Sequence, residues 1–260
     1  LCGRGNSTIT KAQASIIAIL KDTVDTTELH DDHNRPITNE EAQRALYLDF
    51  EGRGPASGGP DPLPLIAGIA CEGEYTATAL DRSIEMIAER PDVDFMPLDH
   101  FLGELLDQAT FEERRIVFWT SHEKTLFTVR GYPPGDIGFD VRVPAKAHPK
   151  LKHYFREFRT ANKKIRNAGV AKTPNGVLRT KAFGLLAIIA DDLGLKRPAN
   201  YGPGFVGKWL RTMQEQNRLK SGAGYDRWSP SGKRNTTKLL KHNEHDCRAT
   251  EFLLKWLLEH

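Results

Sequence analysis

The chain has 260 residues, with 37 Lys and Arg against 34 Asp and Glu. That length supports a sizeable core in one large domain or two small ones, and the composition excludes collagen, a disulfide mini-protein and a wholly disordered chain. No apolar run approaches the ~18–20 residues of a membrane span, and the first residues lack a charged-then-apolar signal pattern. Cys2, Cys71 and Cys247 are widely spaced and odd in number. This argues against a disulfide frame and for a reducing, cytoplasmic setting without a membrane. The chain opens on Leu1 rather than Met, which fits a trimmed chain or a domain of something longer.

In chain order, 7–28 reads as an amphipathic helix, with Ile9, Ala12, Ile16, Ile17, Leu20 and Val24 at helical spacing. The acidic, His-rich stretch 28–39 reads as a linker, so 1–44 forms an N-terminal helix and linker. Residues 45–50 read as a buried strand and 52–64 as a Gly/Pro loop. Strands at 65–71 and 75–80, joined at Glu72, Gly73 and Glu74, complete an antiparallel meander. A short helix follows at 81–88, another at 98–109, a fourth strand at 115–119 and a helix from 123 to 130. A fifth strand is expected at 139–143, with helices at 151–166, 180–193 and 205–217. Residues 219–235 read as an exposed Gly/Ser/Lys loop, and 236–258 as a long closing helix. Three strands in a meander, then helix, strand and more helices, predict an α/β fold of the ribonuclease-H type. Its mixed five-stranded sheet would run from an antiparallel meander into parallel strands, flanked by helices. Residues 45–260 are then one domain, with a basic helical insertion around 141–235.

Charge is unevenly spread. Residues 141–240 hold 22 Lys and Arg against 5 acids, a local balance of +17, and the remainder of the chain carries −14. A basic block of this size points to a polyanion. Its aromatics, Tyr154, Phe155, Phe158, Tyr201, Trp209, Tyr225 and Trp228, suit a nucleic acid whose bases stack on rings. The candidate phosphate contacts are Lys163, Lys164, Arg166, Lys181, Lys208, Arg211, Lys233, Arg234, Lys238 and Lys241.

Against this block stand three acidic motifs. The first strand ends in Asp49-Phe50-Glu51, and residues two apart on a strand share a face. Two adjacent carboxylates repel, and a hard divalent cation between them relieves the repulsion. A second apolar strand, Val117-Phe118-Trp119, runs into Thr120-Ser121-His122-Glu123, a helix start with Ser121 as its expected cap. On the last helix Asp246 shares a face with Ala249, Leu253, Trp256 and Leu257, which turns a carboxylate towards the core. His242 lies one turn earlier on that face, while Arg248 points elsewhere.

Together Tyr47-Leu48-Asp49-Phe50-Glu51-Gly52, Trp119 to Thr125 and His242-Asn243-Glu244-His245-Asp246-Cys247-Arg248-Ala249-Thr250 resemble the DEDD superfamily of 3′→5′ exonucleases. The closest resemblance is to an exonuclease group found beside RecB- or Cas4-like nuclease domains or helicases. It implies hydrolysis of nucleic-acid phosphodiesters with two Mg²⁺ or Mn²⁺ ions. Asp49 would bridge both ions, Glu51 and Asp246 would complete the first site, Glu123 would support the second, and His242 would activate water with a near-neutral pKa. His242 stands where that group has Tyr, and the middle acid is Glu where the wider superfamily has Asp. The implied partner is single-stranded DNA or a DNA 3′ end, with a larger chain or a complex with helicase or nuclease partners as a compatible setting. The same fold also accommodates a catalytically silent nucleic-acid-binding module, an exoribonuclease or a structure-selective endonuclease.

Other patterns carry less. Gly202 to Lys208 imitates a phosphate loop until Trp209 replaces the required Ser or Thr, and reads as a turn and helix start. His30-Asp31-Asp32-His33 reads as a solvated turn. His242, His245 and Cys247 crowd one helix too closely for a tetrahedral zinc site, and Trp119 and Trp256 read as core residues.

Overall fold

The computed structural model describes residue 29 and residues 35–52, 63–167, 184–198 and 203–260, with backbone alone at 161–167 and 203. Helix α1 (Asn39–Arg44) starts at a capping box: the Thr38 hydroxyl accepts from the Glu41 amide and the Glu41 side chain from the Thr38 amide. It leads into β1 (Leu46–Gly52), β2 (Pro64–Cys71) and β3 (Glu74–Ala79). The β2–β3 connection is two residues long, with Glu72 at φ 50° and Gly73 at φ 87°, the left-handed pair whose twist suits a tight hairpin.

A 3₁₀ helix (Arg82–Glu89), β4 (Val93–Phe95), α2 (Leu98–Phe111), β5 (Ile116–Phe118) and α3 (Ser121–Val129) follow. Next come β6 (Gly138–Asp140), α4 (Arg142–Ala147), α5 (Lys152–Asn167), α6 (Leu185–Leu193), α7 (Val206–Leu219) and α8 (Pro230–Glu259).

The chain is α/β, with a six-stranded mixed sheet in the order β4-β3-β2-β1-β5-β6. β1, β2 and β3 are antiparallel neighbours; β5 and β6 add parallel to β1 on one side, and β4 parallel to β3 on the other. Leu46 and Leu48 pack with α2 and α3 on one face. Tyr47, of opposite parity, packs with Leu253, Leu254 and Leu257 of α8 on the other. Helix α8 lies across β1 and β2 and packs on α6 and α7, so the sheet carries helices on both faces. No helix among the described residues is long and apolar enough to cross a membrane.

Several elements differ from expectation. The sheet gains β4, whose three residues are too few to show a strand period. The strand expected at 139–143 is Gly138–Asp140; the Asp140 carboxylate accepts from the Arg142 amide and the chain turns into α4. The helix expected at 81–88 is 3₁₀.

The exposed loop expected at 219–235 is largely absent. Ser229 caps α8, which begins at Pro230, and Tyr225 and Trp228 are buried. Part of the expected linker is structural as well: Leu29 bridges to Ile37, Ile37 is fully buried, and Arg115 donates to the carbonyls of Arg35 and Pro36. The expected helix at 7–28, residues 53–62 of the expected loop, the His30–His33 turn and the first residues of the helix expected at 180–193 lie outside the described residues.

Candidate metal centre

Strand β1 places the first two acids. Strand alternation turns Asp49 and Glu51, like Tyr47, towards α8. Helix α8 answers with His242, Asn243 and Asp246. His242 Nε2 lies 3.4 Å from Glu51 Oε1 and 3.8 Å from Asp246 Oδ2. One donor atom from each of these three residues lies within 4.8 Å of the other two. Arg248 points away from Asp246, as expected; it pairs with Glu244 and donates to the Gly73 carbonyl, which ties α8 to the β2–β3 turn.

Asp49 is held by a residue that the sequence patterns did not single out. The Asn243 side chain, fully buried, donates to Asp49 Oδ2 at 2.7 Å and to the Asp49 carbonyl at 3.2 Å. The Tyr75 hydroxyl donates to Asn243 Oδ1 at 2.8 Å, which fixes the amide's orientation. Gly68 faces Asp49 in the β1–β2 register, and a Cβ there would stand 1.7 Å from Asn243 Oδ1. The Cys247 thiol donates to the Gly68 carbonyl at 3.3 Å. A glycine inside a strand and an asparagine three residues before Asp246 were the available signals.

Glu123 is buried in the first turn of α3. Thr120, not Ser121, caps this helix: its hydroxyl accepts from the His122 amide and donates to Glu123 Oε2 at 2.7 Å. Glu123 is outside the three-donor group, yet its charge reaches Asp49.

The electrostatics follow from burial and crowding. Burial pushes the Asp49 carboxyl well above the usual carboxylate range; Glu51, Asp246 and Glu123 push the same way, and the Asn243 hydrogen bond opposes them. Glu51 is raised by burial and by Asp246. Glu123 is raised by burial against the Thr120 hydrogen bond. Burial, with help from His245, pushes the His242 imidazole down to about 3, so the near-neutral value expected from sequence gives way to a neutral ring. His245 falls to about 4 by burial and the Arg197 charge.

Glu51 Oε1 is buried and accepts no hydrogen bond. An acceptor in that state, crowded by carboxylates that raise one another, fits a hard divalent cation. Glu51, His242 and Asp246 are the residues whose donor atoms stand close enough together to hold it, with Asp49 and Glu123 outside that group.

The candidate phosphate contacts divide. Lys208 and Arg211 of α7 and Arg234, Lys238 and Lys241 of α8 reach the surface. The last three, at spacings of four and three, line one face of α8 leading to His242. Lys233 is engaged locally: its Nζ donates to the Asp226 carbonyl at 2.9 Å and sits 5.6 Å over the Tyr225 ring. Lys163, Lys164 and Arg166 belong to α5, whose backbone alone is described there, and Lys181 lies outside the described residues.

The proposed stacking aromatics are corrected. Phe155, Trp209, Tyr225 and Trp228 are buried in the core, and Tyr154 and Phe158 pack against it. Tyr201 is outside the described residues. Trp119 and Trp256 pack against the core, as expected. Among the described aromatics of the basic block the exposed ring is instead Phe205, in the 3₁₀ turn (Pro203–Phe205) that leads into α7 from the phosphate-loop look-alike. It stacks on Trp209, whose ring meets His242 edge-on.

Gly68→Ala forces the Asn243 side chain off Asp49 and is expected to cost about 1–3 kcal/mol of stability, the usual penalty of overpacking, measured by denaturant melts against wild type. Asp49→Asn removes a carboxyl whose folded pKa is raised, so the unfolded chain releases its proton first as pH climbs. In chelator, the variant's Tm should match wild type near pH 4 and exceed it increasingly towards pH 8. A constant difference across that range contradicts the crowding. No protein-family model matches the chain, and no curated protein or solved structure matches it either.

Proposed function

We propose that the chain is a metal-dependent 3′→5′ exonuclease of the DEDD superfamily, built on a ribonuclease-H-like sheet and acting on nucleic acid, with single-stranded DNA or a DNA 3′ end as substrate. One observation carries this reading. Asp49, Glu51, Glu123 and Asp246 come from three separate stretches of chain in the motif order of that superfamily, and their charges converge at the end of β1. The β3-β2-β1 meander flanked by parallel β5 and β6 supports the fold assignment.

When bound, divalent ions would supply charge neutralisation at the phosphodiester and a more acidic water. The chain's own part is to hold four acids in place. Asp49, fixed by Asn243, is the acid whose carboxyl feels Glu51, Asp246 and Glu123 together. The face of Arg234, Lys238 and Lys241, with Lys208 and Arg211, supplies cations for the strand backbone. Phe205, more than half exposed and linked through Trp209 to His242, offers a ring for a base.

The direct test uses 5′- and 3′-labelled single- and double-stranded DNA and RNA with Mn²⁺. A ladder shortening from the 3′ end of 5′-labelled DNA, abolished by chelator and by Asp49→Asn or Asp246→Asn, is the expected result. Binding without cleavage identifies a silent binding module, internal cuts a structure-selective endonuclease, and RNA preference an exoribonuclease. A further expectation concerns salt. Affinity for single-stranded DNA should fall steeply between about 50 and 200 mM salt, and Lys238→Ala with Lys241→Ala should lower the log–log slope by roughly 1.4. An unchanged slope removes this face from the binding surface.

A further inference from the structure

His242 is the one member of the three-donor group that is not a carboxylate. Its separations of 3.4 Å from Glu51 Oε1 and 3.8 Å from Asp246 Oδ2 are longer than good hydrogen bonds. They are close to the edges of a coordination polyhedron: two ligands each ~2.1 Å from one ion stand roughly 3.0 Å apart at a right angle and roughly 3.4 Å apart at the tetrahedral angle. His242 and Asp246 are four residues apart on α8, so the helix itself presents nitrogen and oxygen side by side, facing Glu51 on β1.

A different role for this imidazole would be to take a proton from the attacking water. A base in that role passes its proton on to solvent. The His242 side chain is 3% exposed and closed off by the edge of the Trp209 ring, with ring centroids 6.2 Å apart. Its Nε2 faces the two carboxylates.

We infer that His242 Nε2 is a ligand of the ion held by Glu51 and Asp246, and that this nitrogen biases the site towards transition ions such as Mn²⁺ over Mg²⁺. The inference rests on the metal-dependent reading above. Its chemical basis is general: all-oxygen sites suit Mg²⁺, whereas an imidazole raises affinity for later divalent ions.

The test loads the full chain with Mn²⁺ alone and records electron spin-echo modulation from directly coordinated ¹⁴N, with Mn²⁺ and Mg²⁺ affinities measured in parallel. The expected result is a ¹⁴N coupling in wild type that His242→Gln removes while Mn²⁺ still binds through oxygen. That variant should weaken Mn²⁺ about tenfold or more and change Mg²⁺ little, which erases the preference. His245 lies outside the three-donor group, so His245→Gln should keep the coupling. Because His242→Gln alters a buried side chain, its melting curve and an Asp246→Asn control accompany the measurement. Mn²⁺ that binds wild type, is lost in Asp246→Asn, and shows no ¹⁴N coupling overturns the inference and leaves the nuclease reading standing. A wild-type chain that takes up no Mn²⁺ overturns both.

Discussion

Mutual repulsion among buried and half-buried carboxylates is the constraint around which this structure is arranged. Asp49 and Glu51 are raised by burial and by the neighbouring acids, Asp246 among them, because burial removes the water that would screen them. Left to itself, such a cluster loosens or takes up protons. The protein opposes both with polar groups aimed at single acids: the Asn243 amide at Asp49 and the Thr120 hydroxyl at Glu123. Glu51 Oε1 receives no such bond. That buried oxygen, 3.4 Å from His242 Nε2, is one acceptor of the cluster without such a brace.

The bracing depends on the sheet. Asp49 and Gly68 are register partners on the two central antiparallel strands, and only a residue without a side chain at 68 lets α8 bring Asn243 down onto β1. Tyr75, one strand further out, locks the amide from the far side. Three strands and one helix thus meet at a single side chain, and a shift in the register of any of them would move Asp49. The same helix is anchored at its end by Leu253, Leu254 and Leu257 against Tyr47 and at the hairpin by Arg248. Core packing and site geometry are therefore set by the same contacts.

How far the sequence foretells this varies with the range of the interaction. The face shared by Asp49 and Glu51, the inward turn of Asp246 and the position of His242 follow from local periods of two and 3.6 residues, and they are found where those periods put them. The antiparallel meander follows from alternating apolar runs and a tight turn. Asn243 was invisible as a positioning group because its importance lies in Gly68 and Tyr75, more than 150 residues away in the chain. Burial misleads for the aromatics: Trp209 and Trp228 sit in a basic segment but fill core space between α7, α8 and the sheet, while the pattern around Phe205 signals only a helix start. The near-neutral pKa expected of His242 fails for the same reason, because burial is a property of the fold rather than of the motif.

We propose that the carboxylates gathered around the end of β1 form a divalent-metal centre. Anomalous diffraction from crystals soaked in millimolar Mn²⁺, recorded across the manganese edge, tests it most directly. A metal centre of this kind predicts anomalous density bounded by Asp49, Glu51 and Asp246, with a second peak on the Glu123 side when substrate or a nucleotide is present. Crystals that show no density among these residues, or manganese bound only elsewhere on the chain, would contradict it.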